Sequence, residues 1–543
     1  MSLASTLTRR LERGLKPATT SWPVRFGKHV VAGFSPRSNR RVRVEVLYGI
    51  LSGLLLTLSL PKPDLYPLAW IALVPWLLVL LRDPNPRPVA LVSYVAGFVF
   101  FTGTFYWMTE TMIIYGGLSY ISAVGIGLLF AVVYSLCFLV FGLGLHLAIT
   151  RFGPRGIFIA APLWVTIELI RTHFFFSGFP WMLSGYALVP YMGILQIVTV
   201  TGIYGLSFIA TAVNSAVAYA IVQRSKAWLA ATAAAVAVMW FLPILGETRS
   251  GDPVPVRIVQ TNISLNQPWV QPEASHLLDE LGTLSTSNES KPRLVVWPET
   301  PAPFYLSDDA DFRARMQGIA RKAGAYFLVG YIGMLGDDPS NSAALLSPEG
   351  NVISRYDKMH LVPFGEYIPL KRLLFFAESF TKQVGNFAAG TEYTISPVDG
   401  HRISTAICYE SIFPDLMRRF VKQGSELFVL ITNDGWFGES SAPFQHLRMG
   451  VVRAVENRRY MVRDANTGIS AIIDPYGRIE SSTRIGVRTI LDGTAHFRSD
   501  LTFYTRYGDV FAYANALAAV IAIAIAAKEN HHARRTHRKI RST

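Results

Sequence analysis

In the second half of the chain, apolar runs of strand length repeatedly end in side chains that can do chemistry. LVVWPET places Glu299 just after such a run, with Pro298 ending the ladder. ISTAICYE places Cys408 at a strand end, followed by Tyr409 and Glu410. ISRYDKMHLVPFGEYIP carries Lys358 and Glu366 in a stretch leaving a strand, and LFVLITNDGWFG ends on Asn433 and Asp434. The strand ends of an α/β sheet are where catalytic side chains are usually held. Taken singly, a Glu or Lys after a strand is most often a solvated turn residue, and a Cys ending ISTAIC could be core. A thiol, a carboxylate and an amine, each set among Trp, Pro, Gly and aromatics, are together a candidate constellation. A free thiol titrates near about 8.5, so at neutral pH such a thiol needs a base and a nearby cation to act as a nucleophile.

Cys408 and Cys137 are the only two cysteines of the sequence. Cys137 sits inside the apolar run VVYSLCFLVF and reads as a small buried hydrophobe, which leaves Cys408 as a free thiol. No His-Glu-x-x-His or clustered Cys/His spacing points to a metal, and the terminal HHARRTH reads as a solvated basic tail. Neither metal nor cofactor is expected.

The elements that position these residues fall into two kinds. Over 246–509 the apolar runs are short (VRIVQ, RLVVW, YFLVGY, SAALLS, ISTAIC, LFVLIT). SPEG and DPYG read as hairpin turns, and 443–458 reads as a helix. This is a mixed α/β domain long enough for its own core. The rest is apolar enough to lie in a membrane. Of 543 residues, 51% are hydrophobic and only 16% charged, against about 25% charged in an ordinary soluble domain. Seven candidate spans lie at about 44–60, 65–81, 88–109, 118–149, 155–170, 194–222 and 227–245, with an eighth at 510–527. The expected domains are a basic tail (1–43), a seven-helix membrane domain (44–245), the α/β domain (246–509), a final span (510–527) and a second basic tail (528–543).

Charge orients the spans. Residues 1–43 carry ten Lys/Arg against Glu12, and 528–543 carry six against Glu529, so the two tails account for the whole net charge of +14. Basic ends flanking apolar spans mark the cytoplasmic side and touch anionic lipid, so nucleic acid is not an expected partner. With both termini in the cytoplasm, the inner loops RDPNPR (82–87), RFGPR (151–155) and QRSK (223–226) are all basic, and the outer loops are nearly neutral. The α/β domain then falls on the outer face, the periplasm of a bacterial inner membrane.

The motifs VWPET, YDKMHLVPFGEYIP, ICYESIFPDL and TNDGWFG…QHLRMGVVRAVENRRYMVRDANTGISAIIDPYG resemble the carbon–nitrogen hydrolase (nitrilase) superfamily. With the helices, SGFPWMLSGY (177–186), GIYGLSF (202–208) and TFYTRYGD (502–509), the chain resembles its apolipoprotein N-acyltransferase family over about 44–527. The resemblance implies a polytopic helical bundle of about eight spans carrying a periplasmic αββα sandwich. It implies a Glu–Lys–Cys triad: Cys408 the nucleophile, Glu299 the general base, and Lys358 with a backbone N–H near Tyr409 the oxyanion stabiliser. Glu366 would hold the Lys358 ammonium in place. Tyr409 and Glu410 would shape the pocket, or serve as a packing ring and a structural ion pair. The implied reaction moves an acyl chain from a membrane phospholipid, through a thioester on Cys408, to the α-amine of a diacylglyceryl-cysteine on an apolipoprotein. Its partners are those two substrates and the bilayer, and the enzyme is expected to be a monomer.

Two features stay open at this level. Glu168 and Arg171, three residues apart on one helical face, are either functional charges at membrane depth or a pair that snorkels. FFFSGFPW and Trp436-Phe437 either line a lipid entrance or belong to an interfacial aromatic belt. Two other functions are weighed against acyl transfer. A membrane-tethered amidase or nitrilase of a small amide needs only one anchor, so eight spans are excessive. A transporter or receptor with an inactive binding domain would not need all three triad types.

Overall fold

The computed structural model describes residues 36–542, apart from 174–177, 245–249, 266, 268, 271, 288–289, 303–305, 307–308 and 368–386. Most of the N-terminal basic stretch, the first half of FFFSGFPW and the end of GEYIP therefore lie outside the described residues.

The α/β part consists of two six-stranded sheets. The first has the order β12-β1-β2-β3-β4-β5, built from β1 (Pro253–Gln260), β2 (Leu294–Val296), β3 (Tyr326–Leu335), β4 (Asp338–Leu346), β5 (Val352–Asp357) and β12 (Thr489–His496). The second has the order β11-β10-β9-β8-β7-β6, built from β6 (Ile395–Val398), β7 (His401–Ile407), β8 (Leu427–Thr432), β9 (Met461–Ala465), β10 (Ala471–Ile473) and β11 (Ile479–Ser482). At the centre of each sheet three neighbours run parallel, β1–β2–β3 and β7–β8–β9. Parallel strands must be covered on both faces, and β2, β8 and β9 are accordingly buried along their whole length. The sheets touch each other through β1 and β9. Helices Glu273–Ser285 and Ala310–Ala323 cover the first sheet through Leu277, Leu281, Phe312 and Met316. Helices Pro414–Lys422 and Ala442–Asn457 belong with the second. The result is an αββα sandwich.

The remaining helices are apolar. Four stretches are long and apolar enough to cross a membrane by length and composition: Pro86–Thr104, Tyr120–His173, Tyr204–Val222 and Val510–Lys528. The second contains two helices, Tyr120–Phe152 and Ala160–His173, separated at Gly153. Large apolar side chains face outward here, among them Ile121, Leu129, Leu517 and Val520, as a lipid-facing surface requires. The structure breaks some of the expected spans. Residues 65–81 divide into a 3-10 turn (Tyr66–Trp70) and a short helix (Val74–Arg82). The run 194–222 is interrupted at Gly202, whose φ is +60° and whose missing side chain leaves room for the Tyr504 ring. The helix proper is Tyr204–Val222.

Helix Ala442–Asn457 is where the sandwich meets the apolar helices, and all its residues except Phe444 and Arg448 are buried. Gln445 Nε2 donates to the Pro61 and Thr104 carbonyls (3.1 and 3.2 Å). Arg448 forms a bidentate pair with Asp64 at 2.8 Å, and Glu456 Oε1 accepts from the Ile203 N–H at 2.9 Å. These contacts make the helices part of the sandwich's support, not a loose tether.

Candidate active site

Glu299 leaves the end of β2 and is 6% exposed. Its Oε1 accepts from Asn341 Nδ2 at 2.7 Å and Lys358 Nζ at 3.4 Å, and its Oε2 accepts from the Asn433 N–H at 2.7 Å. The Glu299 loop lies against β3 at Gly330, where a Cβ would come within 2.5 Å of the Pro298 carbonyl. Only glycine permits that approach.

Lys358 follows β5 and is 1% exposed. Its ammonium donates to Glu366 Oε1 at 2.9 Å, and its backbone N–H donates to the Asn341 carbonyl at 2.8 Å. Burial works against the charged amine, but the Glu366 and Glu299 carboxylates outweigh it and raise Lys358 above the ordinary lysine range. Glu366 is fixed in turn by the Val362 N–H (2.8 Å) and by Asn341 Nδ2 (2.8 Å).

Cys408 is the first residue after β7 and has φ +53°, an unfavourable conformation for a side chain other than Gly or Asn. The strand turns there into a 3-10 turn, Cys408–Ile412. Burial, and then the negative charge of Glu299, push the thiol above its ordinary value, with Lys358 opposing them. Both influences favour the neutral thiol form of Cys408.

The structure thus brings together Glu299, Lys358, Glu366 and Cys408, all expected from sequence. The centre of the cluster is Asn341, which sequence reasoning missed. Its one amide nitrogen bridges both carboxylates. The expected strand SAALLS begins at residue 342, whereas β4 starts at Asp338, which puts Asn341 inside the sheet. The strand extends four residues before the apolar run that marks it in the sequence.

Glu410 has another task. It is fully buried, and its Oε1 accepts from Tyr356 OH (2.7 Å) and the Met359 (2.7 Å) and His360 (3.2 Å) N–H groups. Its Oε2 accepts from the Ile407 N–H at 2.8 Å. These donors are neutral, so of the two readings open from sequence the structural one takes the form of a carboxylate strap joining the Lys358 loop to the Cys408 turn, not an ion pair. Replacing Glu410 with alanine leaves buried donors without an acceptor, which costs about 1–3 kcal/mol each. A clear drop in melting temperature is expected, read by intrinsic fluorescence in detergent. Tyr409 packs against His360 and Phe413 as a buried ring. Burial, followed by the Lys358 charge, pushes His360 down to about 4, so it is neutral beside the site.

Trp436 and Phe437 sit on the apolar helices. Trp436 packs edge-on to Tyr115 and its carbonyl accepts from Thr111, while Phe437 packs on Trp107 and Trp181. Trp436 remains 43% exposed. Glu168 and Arg171 neither pair with each other nor snorkel. Both are 4% exposed. Glu168 Oε1 accepts from Trp164 Nε1 (2.9 Å) and the Ser184 N–H (2.7 Å), and Arg171 donates to the Trp181 carbonyl at 2.9 Å. Neighbouring helices and the 181–184 loop supply enough protein to hold both charges away from the lipid.

A thiol, two carboxylates and an amine at the strand ends of an αββα sandwich define a carbon–nitrogen hydrolase domain, here built onto apolar helices. The carbon-nitrogen hydrolase family matches residues 256–489, and the apolipoprotein N-acyltransferase N-terminal domain family matches 52–216. The apolipoprotein N-acyltransferase of Geobacter metallireducens is 38% identical over 518 residues, covering 90% of this chain and 97% of that protein. Its namesake from Brucella suis is 30% identical, covering 82% and 89%. Among solved structures, Saccharomyces cerevisiae Nit3 of the nitrilase superfamily is 18% identical with TM-score 0.37, covering 47% of this chain and 93% of that one. This chain belongs to the apolipoprotein N-acyltransferase family.

Proposed function

We propose that this protein transfers a fatty acyl chain from a membrane phospholipid to the α-amine of an N-terminal diacylglyceryl-cysteine, through a thioester on Cys408. The observation that carries the reading is the buried Glu299–Lys358–Glu366 cluster beside the buried free thiol of Cys408, in a domain seated on apolar helices. Glu299 takes the thiol proton as Sγ attacks the ester carbonyl. Lys358 and the Tyr409 N–H stabilise the oxyanion. Collapse breaks the ester C–O bond, and the lysophospholipid oxygen leaves with the proton from Glu299. In the second half-reaction the lipoprotein amine attacks the thioester. Glu299 accepts the amine proton and returns it to the departing sulfur. A thioester keeps the acyl group activated, so the exchange as written needs no nucleotide, coenzyme A or metal.

Both substrates are lipids, which explains why the sandwich is built onto apolar helices. In the proposed topology eight spans place both termini in the cytoplasm and residues 246–509 in the periplasm of a bacterial inner membrane, the enzyme acting as a monomer. The basic inner loops support that orientation. Incubating the detergent-purified protein with phospholipid alone should give a hydroxylamine-labile acyl adduct on the Cys408 peptide by mass spectrometry. The adduct should be absent from Cys408→Ala and discharged by a diacylated lipopeptide with a free amine. No adduct, with the lipid intact, would overturn the reading, and an adduct removed only by water would make the protein a lipid hydrolase.

A further inference from the structure

A buried polar cluster lies directly beneath the Cys408 turn, and the chemistry above does not use it. His446, on helix Ala442–Asn457, is fully buried. Its Nε2 is 3.1 Å from the Cys408 carbonyl oxygen and 2.8 Å from Ser411 Oγ, which itself donates to the same carbonyl at 3.1 Å. On the other side of the ring, Nδ1 is 2.9 Å from Asp434 Oδ1 and 3.3 Å from Arg463 Nη2. Arg463 donates to Asp434 Oδ2 at 2.6 Å, and Thr432 Oγ1 donates to Asp434 Oδ1 at 3.0 Å.

A carbonyl oxygen only accepts, so Nε2 bonds the Cys408 carbonyl in the tautomer that carries the ring proton on Nε2, with Nδ1 accepting from Arg463. The indole of Trp181 is stacked on the imidazole, 5.7 Å between centroids at 26°. Trp181 comes from the apolar-helix half of the protein. Its carbonyl is held by Arg171, its Nε1 donates to Gln445 Oε1 at 2.7 Å, and Glu168 holds the Ser184 N–H of the same loop. The charges buried among the apolar helices thus fix the loop that roofs His446.

The Cys408 carbonyl and the Tyr409 N–H belong to one peptide unit, planar and trans, so they point in opposite directions. Holding the carbonyl down toward His446 aims the N–H to the other side of the turn. The turn needs such a hold, because the left-handed conformation of Cys408 is intrinsically unfavourable by about 1–2 kcal/mol. We propose that His446, backed by Asp434 and roofed by Trp181, is a positioning residue for acyl transfer: its Nε2–H pins the Cys408 carbonyl and thereby directs the Tyr409 N–H at the oxyanion. This rests on the thioester reading above.

Two near-isosteric variants of the full chain separate positioning from packing. In His446→Gln the amide nitrogen reaches where Nε2 stood and can still donate to the Cys408 carbonyl. In His446→Asn it stands where Nδ1 stood, keeping a partner for Asp434 but failing to reach the carbonyl. The readout is single-turnover acylation of Cys408 at saturating mixed micelles of dioleoyl phosphatidylethanolamine and phosphatidylglycerol, with lipopeptide KM measured alongside. His446→Asn should acylate about 10²-fold more slowly, the scale of a lost oxyanion donor, at unchanged KM, and His446→Gln should recover most of the rate. His446→Asn at wild-type speed, or His446→Gln no faster than His446→Asn, would overturn the assignment. Wild-type protein that takes up no acyl group would overturn the thioester reading instead.

Discussion

Replacing Glu299 with glutamine is expected to slow thioester formation on Cys408 by about 10²–10⁴-fold, the range for a positioned general base. The substitution keeps the shape, and the amide oxygen can still accept from Asn341 or from the Asn433 N–H. It removes the carboxylate that touches both Lys358 and the loop after β8. The thiol responds in the opposite direction. Burial raises Cys408 first and the Glu299 charge second, so removing the charge lowers the pH at which the thiol ionises. Alkylation of Cys408 by iodoacetamide should therefore rise at lower pH in Glu299→Gln than in the wild type, while phospholipid acylation falls. A distorted site would slow both reactions. A Glu299→Gln variant that acylates at the wild-type rate would remove Glu299 from the role of base.

The strand-end logic of the sequence placed Glu299, Lys358 and Cys408 because each follows an apolar run that the sheet buries, and a sheet's end is fixed by where that run stops. Asn341 escaped because its importance comes from register. β4 pairs with both β3 and β5, and only that pairing sets a strand-interior amide between two carboxylates. His446 escaped for a related reason. It lies in an expected helix, but its contact with the Cys408 carbonyl depends on how that helix docks. Trp181 and Gln445 could not be joined by reading along the chain either, being 264 positions apart. The helical half was legible as apolar runs, whereas the break at Gly202 is set by the Tyr504 ring, a tertiary contact. Glu168 and Arg171 show the same limit, since their three-residue spacing made pairing the natural expectation while the real partners lie on the 181–184 loop.

Lys358→Met should damage stability as well as chemistry. The ammonium lies 2.9 Å from Glu366 and 3.4 Å from Glu299, with all three side chains largely buried. Removing it leaves two carboxylates bridged by one Asn341 amide, each with one backbone N–H besides, and no cation between them. Breaking a buried pair from one side costs about 3–5 kcal/mol, so a large fall in melting temperature is expected. The variant can relieve the repulsion by letting one carboxyl keep a proton, as carboxylates that share a site do. That carboxyl then has a folded-state pKa above its unfolded value. Its contribution to stability is complete below the unfolded pKa and disappears as pH rises through the folded one. Lys358→Met should therefore be more stable at pH 5 than at pH 8, as measured by thermal unfolding in detergent. The wild-type lysine, itself raised by the two carboxylates, gives its full contribution across that interval and loses it only at strongly alkaline pH. Adding Glu299→Gln to Lys358→Met removes one of the opposed charges and should recover part of the lost stability at pH 8 without recovering acylation. Non-additivity of this kind is the signature of groups in one network. A Lys358→Met protein whose stability is unchanged, or rises from pH 5 to pH 8, would show that the lysine does not hold the two carboxylates together.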